Sequence, residues 1–195
     1  MALVVGLGNP GAPYERTRHN VGWRVIERLV RRWDAHAEPG SPPYRAWSAA
    51  LEGRDIHLLT PLTYMNLSGE ALTAWTERHG LEPGALLVVT DDVYLPFGAL
   101  RLRRSGSSGG HRGLESIEAA LGRREYDRLR IGVGAAEGSA ALREHVLKEF
   151  ESEDETAVDK VLELAADAVE VWAREGATTA MNRFNRRTPR EDSTP

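Results

Sequence analysis

Polar side chains suited to acid–base chemistry follow an apolar run near the start of the chain. Asn9, Tyr14, His19 and Asn20 come soon after Ala2-Leu3-Val4-Val5. An apolar, β-rich run that ends in glycine, asparagine and proline is typical of a buried strand leading into a loop, and open α/β sheets place their sites in such loops. Histidine titrates at about pH 6.5, so it can act as a general base at neutral pH. The loop therefore predicts a functional site.

Further candidates follow other predicted strands. Leu86-Leu87-Val88-Val89-Thr90 is a continuous apolar run typical of a buried parallel strand, and Asp91 lies at its carboxyl end. A carboxylate there can reach the loop after the first strand, so we expect Asp91 to orient His19. The alternative is a solvated turn acid, which we prefer for Asp92. Asn66 lies at a strand-to-helix junction, where asparagine most often caps the helix.

The first loop also matches a dinucleotide-binding pattern, in Gly6-Leu7-Gly8-Asn9-Pro10-Gly11. That pattern requires a helix to begin at the last glycines, so that its amides meet a pyrophosphate. Pro10 and Pro13 disfavour helical backbone at the residues before them, and helical periodicity resumes only near Asn20. The acid expected after a second strand is replaced by Asp34, which ends a helix. We therefore disfavour dinucleotide binding.

A family resemblance accounts for the same loop and for several blocks beyond it. The chain resembles the bacterial-type peptidyl-tRNA hydrolase family in the order and spacing of these blocks. They are Gly6–Gly11 with Tyr14, then Thr17–Gly22, Leu62–Gly69, Thr90-Asp91, Leu95-Pro96, Gly109-Gly110-His111 and Arg128–Gly134. Several blocks in register are far more specific than one short pattern.

The resemblance implies a function and a set of site residues. Members of this family hydrolyse the ester joining a peptide to the 3′ ribose of tRNA, which recycles tRNA from aborted translation, and they need no metal or other cofactor. Carried over to this chain, His19 is the general base and Asp91 holds it. Asn9 and Asn66 contact the peptidyl end. The remaining implied substrate contacts are Tyr14, Tyr64, Met65 and His111.

The residue types fit such chemistry independently of the resemblance. The chain has no cysteine and no Gly-x-Ser-x-Gly motif, so a covalent acyl-enzyme is not expected. An activated ester needs only water, a base and a dipole for the oxyanion. Either Asn9 or Asn66 could donate to that oxyanion, and the sequence leaves open which one does.

Two positions depart from the family pattern. Arg112 stands where the family commonly has asparagine, and Tyr94 stands where it commonly has aspartate. A guanidinium can only donate hydrogen bonds, so it cannot replace an amide that positions water by both donating and accepting. We expect Arg112 to strengthen phosphate binding instead.

A basic region predicts a nucleic-acid surface although the net charge is -4. Residues 101–130 contain eight arginines against four acids, and local charge matters more than the sum for binding a polyanion. Strict alternation places Arg101 and Arg103 on one face of a strand. The small residues of 105–113 then form a loop that a nucleic-acid backbone can approach. The acidic stretch 149–175 is interpreted as a solvated, salt-bridged surface.

Periodicity predicts the elements that position these residues. We expect one α/β domain over 1–184, with a mixed, mostly parallel twisted sheet and helices on both faces, and a disordered tail over 185–195. The predicted helices are 20–33, 67–79, 114–121, 140–147, 153–175 and 177–184. The predicted strands are 2–5, 44–51, 55–59, 86–90, 99–103 and 126–134.

Composition excludes several other classes. The absence of cysteine excludes a disulfide framework, and no run approaches the roughly 18 apolar residues of a membrane span. With no secretion signal recognised, we expect a cytoplasmic protein that is a monomer without an obligate protein partner. The expected partner is the acceptor stem and 3′ end of tRNA. The main alternative function is a non-catalytic RNA-binding protein on the same scaffold.

Overall fold

Two apolar runs form neighbouring parallel strands at the centre of the sheet. In the computed structural model, which describes residues 1–39, 42–80, 84–134, 139–151 and 155–185, β1 (Ala2–Gly6) pairs with β5 (Leu86–Asp92). Val5 lies opposite Val88 in this register, and every residue of β5 is buried. Both faces of these strands are covered by helices, which explains why the runs are continuously apolar.

The remaining strands extend the sheet on both sides. They are β2 His36–Ala37, β3 Tyr44–Leu51, β4 Arg54–Pro61, β6 Leu100–Arg103 and β7 Asp127–Gly132. Within the described residues the sheet has seven strands in the order β2-β3-β4-β1-β5-β7-β6. The four central strands are parallel, and β2, β3 and β6 join the sheet through antiparallel pairs.

Alternation along the strands divides the core between two helical layers. Val4 and Leu87 pack into one layer, while Leu3 and Val88 pack into the other. The first layer contains α1 (Val21–Arg32), α5 (Glu155–Glu175) and α6 (Ala177–Phe184), and the second contains α2 (Ser68–His79) and α3 (Arg112–Leu121). A shorter helix, α4 (Ser139–Val146), lies between β7 and α5 in the chain. This architecture confirms the predicted α/β class with a mixed sheet.

The acidic helix α5 is paired with arginines of α1. Arg28 bonds Asp159 and Glu163, and Arg32 bonds Glu163 and Asp167. The acidic partners are exposed, so each pair contributes little by itself. The contacts agree with the interpretation of this stretch as a salt-bridged surface.

The boundaries differ from the predicted ones at several places. The hairpin strand extends to Pro61, and the short strand β2 was not predicted. Asn185, which we predicted to begin the tail, bonds the backbone of Leu102 through both side-chain atoms, at 2.6 and 2.9 Å. Residues 153 and 154 of the predicted long helix, and 186–195 of the predicted tail, lie outside the described residues.

None of the helices in the described part of the chain is both long enough and apolar enough to cross a membrane.

Candidate active site

The carboxyl ends of β4, β1 and β5 open into one cavity of about 540 Å³. Parallel strands deliver the loops that follow them to the same edge of a sheet, so residues distant in sequence meet there. Arg101 and Arg103 lie outside this cavity, on β6. The other predicted site residues all line it: Asn9, Tyr14, His19, Tyr64, Met65, Asn66, Asp91, His111 and Arg112.

His19 is held close to β5 by the start of α1. A 3-10 turn, Arg18–Asn20, carries His19 directly into that helix. The helix can approach the sheet because its second residue is Gly22. A Cβ at this position would lie 2.5 Å from the carbonyl oxygen of Val89 and 2.6 Å from the backbone nitrogen of Leu7. The close approach therefore depends on glycine, and it brings the imidazole beside the end of β5.

The imidazole of His19 contacts the carboxylate of Asp91. Nδ1 of His19 lies 2.9 Å from Oδ1 of Asp91, and the two side chains are 14% and 2% exposed. Burial alone would lower the pKa of His19, but the charge of Asp91 and the hydrogen bond to it outweigh burial and raise that pKa. Nδ1 therefore donates to the carboxylate. Nε2 makes no hydrogen bond within the described residues, on a ring that lines the cavity.

The same carboxylate oxygen binds His111, which we predicted as a substrate contact and not as a partner of Asp91. Nε2 of His111 lies 2.9 Å from Oδ1 of Asp91 and 2.7 Å from Oγ1 of Thr90. Burial would raise the pKa of Asp91, but the adjacent His19 and His111 outweigh burial and hold that pKa well below its usual range. Asp91 is therefore an anion shared by two imidazoles.

Contacts with α3 fix the proton of His111. Its Nδ1 accepts from the backbone nitrogens of Gly113 at 3.1 Å and Leu114 at 3.3 Å, and so caps the helix. A nitrogen that accepts carries no proton, so the single proton of the neutral ring must lie on Nε2. From there it is donated toward Asp91. The cap thus determines which tautomer of His111 faces the carboxylate.

The side chain of Asn9 is oriented by the loop after β4. Its Oδ1 accepts from the backbone nitrogen of Met65 at 2.8 Å. Because a backbone N–H can only donate, the amide oxygen must face Met65, and Nδ2 must point elsewhere. Nδ2 makes no hydrogen bond within the described residues, and Asn9 lines the cavity. Its two N–H groups are therefore available to a ligand.

Asn20 supports Asn9 rather than capping the helix with its side chain. It occupies the N-cap position of α1, as predicted, but no side-chain capping bond is formed. Its Oδ1 accepts from the backbone nitrogen of Asn9 at 2.8 Å, and its Nδ2 donates to the backbone oxygen of Asn9 at 2.9 Å. The fully buried Asn20 therefore fixes the backbone of Asn9 on both sides.

The segment after β4 supplies an aromatic side and a second asparagine. The rings of Tyr14 and Tyr64 meet edge to face, with centroids 6.5 Å apart. Met65 is buried and forms part of the cavity wall. Asn66 is exposed at the cavity. Its predicted alternative role as a helix cap was wrong, because neither the 3-10 turn Met65–Leu67 nor α2 has a side-chain capping bond.

Asp92 is not the solvated turn acid that we predicted. It is buried, its Oδ1 accepts from the backbone nitrogen of Tyr94 at 2.8 Å, and its Oδ2 lies 3.1 Å from Nη1 of Arg130. Arg130 also donates to the backbone oxygen of Ser107 at 2.7 Å. Asp92 and Arg130 therefore hold the glycine-rich loop and the turn after β5.

Several residues that line the cavity were missed by sequence reasoning. Arg130 is one, and its alternation with the apolar residues of β7 was the available signal. Val93 is another, and four more come from the region of α4: Leu142, Arg143, Val146 and Leu147.

The cluster His19, Asp91 and His111 is the group in the described part of the chain that could hold a metal ion. One ligand atom from each lies within 4.8 Å of the others. A metal at Nε2 of His111 would require that nitrogen to lose its proton. The proton of the neutral ring would then move to Nδ1 and face two backbone donors. The cap on α3 therefore opposes metal binding through His111.

Comparisons with known proteins show which family the chain belongs to. The family model described as peptidyl-tRNA hydrolase matches residues 3–192. The peptidyl-tRNA hydrolase of Chloroflexus aurantiacus is 45% identical over 186 residues, covering 95% of this chain and 99% of that protein. That of Desulforudis audaxviator is 48% identical over 189 residues, covering 95% and 93%.

A solved structure shows the same fold. The crystal structure of peptidyl-tRNA hydrolase from Acinetobacter baumannii superimposes with a TM-score of 0.89 at 32% identity, covering 97% of this chain and 96% of the other. The superposition therefore covers nearly the whole chain and not only the residues that line the cavity. The chain belongs to the peptidyl-tRNA hydrolase family, a family of ester hydrolases.

Proposed function

We propose that the protein hydrolyses the ester between a peptide, or an N-blocked amino acid, and the 3′ ribose of tRNA, releasing both products. The observation that carries this proposal is the His19–Asp91 pair at 2.9 Å, placed in a cavity beside the unpaired amide of Asn9. The family supplies the substrate class. The proposed role is the recycling of tRNA from stalled or aborted translation in the cytoplasm, with the protein acting as a monomer.

The first step uses the unprotonated nitrogen of His19. Nε2 accepts a proton from a water molecule while the water oxygen attacks the ester carbonyl carbon. The imidazolium that forms is stabilised by Asp91, whose charge lies against Nδ1. No bond forms between the protein and the acyl group, because none of the hydroxyl groups among the described lining residues is hydrogen-bonded to His19.

The second step collapses the tetrahedral intermediate. Nδ2 of Asn9 donates to the oxyanion, since its Oδ1 is already engaged by Met65. Nε2 of His19 then returns its proton to the 3′ oxygen of the ribose as the C–O bond breaks. His19 is neutral again, and peptide and tRNA leave.

The protonation of His111 supports catalysis without a metal. The capped ring donates its only proton to Asp91, and a divalent ion would have to replace that proton. The carboxylate is therefore used to hold two imidazoles. Nothing in the proposed steps requires a Lewis acid.

The test is release of N-acetyl-aminoacyl groups from tRNA. We expect hydrolysis by the purified protein, with the same rate after dialysis against EDTA and in its presence. Loss of activity with the chelator, restored by a divalent ion, would contradict the metal-free mechanism. Failure to release the acyl group under any condition, with tRNA still bound, would favour the alternative RNA-binding function. The His19–Asp91 pair favours the enzyme, because RNA binding alone does not need a base.

Asn9→Ala should lower kcat by about 10²- to 10³-fold, because one oxyanion donor is lost. Asn66→Ala should change kcat much less, since no contact orients the Asn66 amide within the described residues. Steady-state kinetics of the two variants on N-acetyl-aminoacyl-tRNA decide between the two asparagines. A larger loss of kcat for Asn66→Ala would assign the oxyanion to that residue instead.

Arg101→Ala and Arg103→Ala should mainly raise KM for full-length substrate, by about tenfold together. Both side chains are exposed on the edge strand β6, outside the cavity. Their guanidiniums can reach phosphates remote from the ester, so a short ester lacking the tRNA body should be cleaved normally. Arg45→Ala, an exposed arginine on β3, is the matched control. Equal losses on long and short substrates would show that these arginines act on the chemistry.

A further inference from the structure

One carboxylate oxygen of Asp91 serves two imidazoles at once. Oδ1 accepts from Nδ1 of His19 and from Nε2 of His111, each at 2.9 Å. All three side chains are largely buried, so these bonds are screened little by water. A donor that binds an anionic oxygen stabilises its charge and leaves less of it for a second donor. The strength of the bond from His111 therefore affects how strongly Asp91 acts on His19.

His111 has a single proton with which to make that bond. Its Nδ1 accepts from the backbone nitrogens of Gly113 and Leu114 at the start of α3. A proton on Nδ1 would face both of these donors, so the proton of the ring lies on Nε2. Nε2 can give it to one acceptor at full strength or divide it between two.

Thr90 supplies a second acceptor for the same proton. Its Oγ1 lies 2.7 Å from Nε2 of His111, closer than the 2.9 Å to Oδ1 of Asp91. Because Nε2 carries the proton, the hydroxyl oxygen is the acceptor in this contact. Thr90 is fully buried on β5 and is not among the described residues that line the cavity. Its hydroxyl group therefore acts on the ring and not on a substrate.

We propose that Thr90 is a positioning residue that divides the proton of His111 between two acceptors and so leaves more of the Asp91 charge to His19. The hydroxyl weakens the bond from His111 to Oδ1, and that oxygen then interacts more strongly with Nδ1 of His19. This role rests on the proposed function, because the carboxylate stabilises the imidazolium that forms when His19 takes a proton from water. No atom of Thr90 takes part in the reaction.

Thr90→Val separates the hydroxyl group from the packing of the side chain. Valine keeps the branched shape, and Nε2 of His111 retains Asp91 as an acceptor, so no donor is left unpaired. We expect kcat on N-acetyl-aminoacyl-tRNA to fall about three- to tenfold, the effect of one hydrogen bond, with KM unchanged. Thr90→Ser keeps the hydroxyl group and should keep kcat. Thr60→Val is the matched control, because Thr60 is buried on β4 and does not line the cavity.

Imidazole NMR of the resting protein, labelled with ¹⁵N, tests the hydrogen bond without turnover. In the wild type, the one-bond coupling should place the proton of His111 on Nε2. In Thr90→Val this proton should resonate at lower field, because its whole bond then goes to the carboxylate and charge-assisted bonds are the stronger ones. In Thr90→Ser and Thr60→Val the resonance should stay in place.

Any of four results would overturn this role of Thr90. They are a His111 proton on Nδ1 in the wild type, an Nε2 proton that does not move in Thr90→Val, a loss of kcat in Thr90→Ser as large as in Thr90→Val, and a raised KM with unchanged kcat. The first would hold even if Thr90→Val failed to fold. A wild-type protein that does not hydrolyse the ester would refute the proposed function, whereas the NMR spectra would still decide whether Thr90 shares the proton.

Discussion

Replacing His19 by alanine should reduce kcat by about 10²- to 10⁴-fold while the affinity for tRNA persists. The imidazole contacts Asp91 through Nδ1 and has no other hydrogen bond within the described residues, so its removal takes away the base and little else. The phosphate contacts proposed for Arg101, Arg103 and Arg112 are untouched. Single-turnover hydrolysis of N-acetyl-aminoacyl-tRNA gives the rate, and filter binding of uncharged tRNA gives the affinity.

His36→Ala is the matched control for that variant. His36 is exposed on the edge strand β2, outside the cavity, so its loss should leave kcat unchanged. Thermal unfolding of both variants shows whether the fold is retained. If folded His19→Ala hydrolyses the substrate at a rate near that of the wild type, then His19 is not the base, and the proton must be taken by another group.

The sequence predicted the relation of His19 to Asp91 because it depends on strand placement. Two continuous apolar runs indicated two buried parallel strands, and such strands open at the same edge of the sheet. The family resemblance added most of the other candidate residues, and the structure brings nine of the eleven predicted site residues into one cavity. The features of the site that could be predicted are therefore those that depend on local sequence pattern and on the order of the strands and motifs along the chain.

The remaining contacts depend on tertiary placement that no local pattern shows. Asp92 resembled a solvated turn acid because its partner, Arg130, is 38 residues away in the sequence. Asn20 has the local signature of a helix cap, yet its amide bonds Asn9, which is 11 residues away in the sequence. His111 follows two glycines with positive φ, whose turn sets the direction of the ring. Its bond to Asp91 requires that turn geometry.

These contacts make the site more constrained than a histidine with one carboxylate. Asp91 accepts from two rings, and the second ring is fixed by the start of α3. Asn9 is fixed by Asn20 and by Met65. Backbone groups of neighbouring elements thus hold the proposed oxyanion donor directly, and they hold the proposed base through Asp91 and His111. Such positioning is what a reaction without covalent catalysis requires, since its rate depends on the placement of water and ester.

The His19–Asp91 pair should also link folding stability to pH. The pKa of Asp91 is lowered in the folded protein, so its contribution is present above its unfolded pKa of about 4 and is lost as the pH falls through the folded pKa. The pKa of His19 is raised, so its contribution is present below about pH 6.5 and is lost as the pH rises through the folded pKa. The pair therefore stabilises the fold most between these two values.

Asp91→Asn should lower the plateau of kcat/KM on the order of 10²- to 10⁴-fold and move the acidic limb of its pH profile to lower pH. His19 must be neutral to act as a base, and Asp91 raises its pKa. Without that charge, burial lowers the pKa of His19, so the neutral form persists to lower pH. The plateau still falls, because an asparagine amide can donate to Nδ1 and then leaves the ring proton on Nε2, where the base is needed.

Asp92→Asn tests whether the shift comes from the carboxylate bonded to His19. Asp92 is the next residue and is buried, but its charge is paired with Arg130 and it does not contact His19. Its removal should leave the acidic limb where it is in the wild type. An acidic limb that moves equally in both variants would indicate a general effect of lost negative charge. An acidic limb that stays in place in Asp91→Asn would show that the group titrating in the rate is not His19. Two imidazoles lose the Asp91 carboxylate in this variant, those of His19 and His111. Of these two, only His19 lines the cavity with a ring nitrogen that has no hydrogen bond within the described residues.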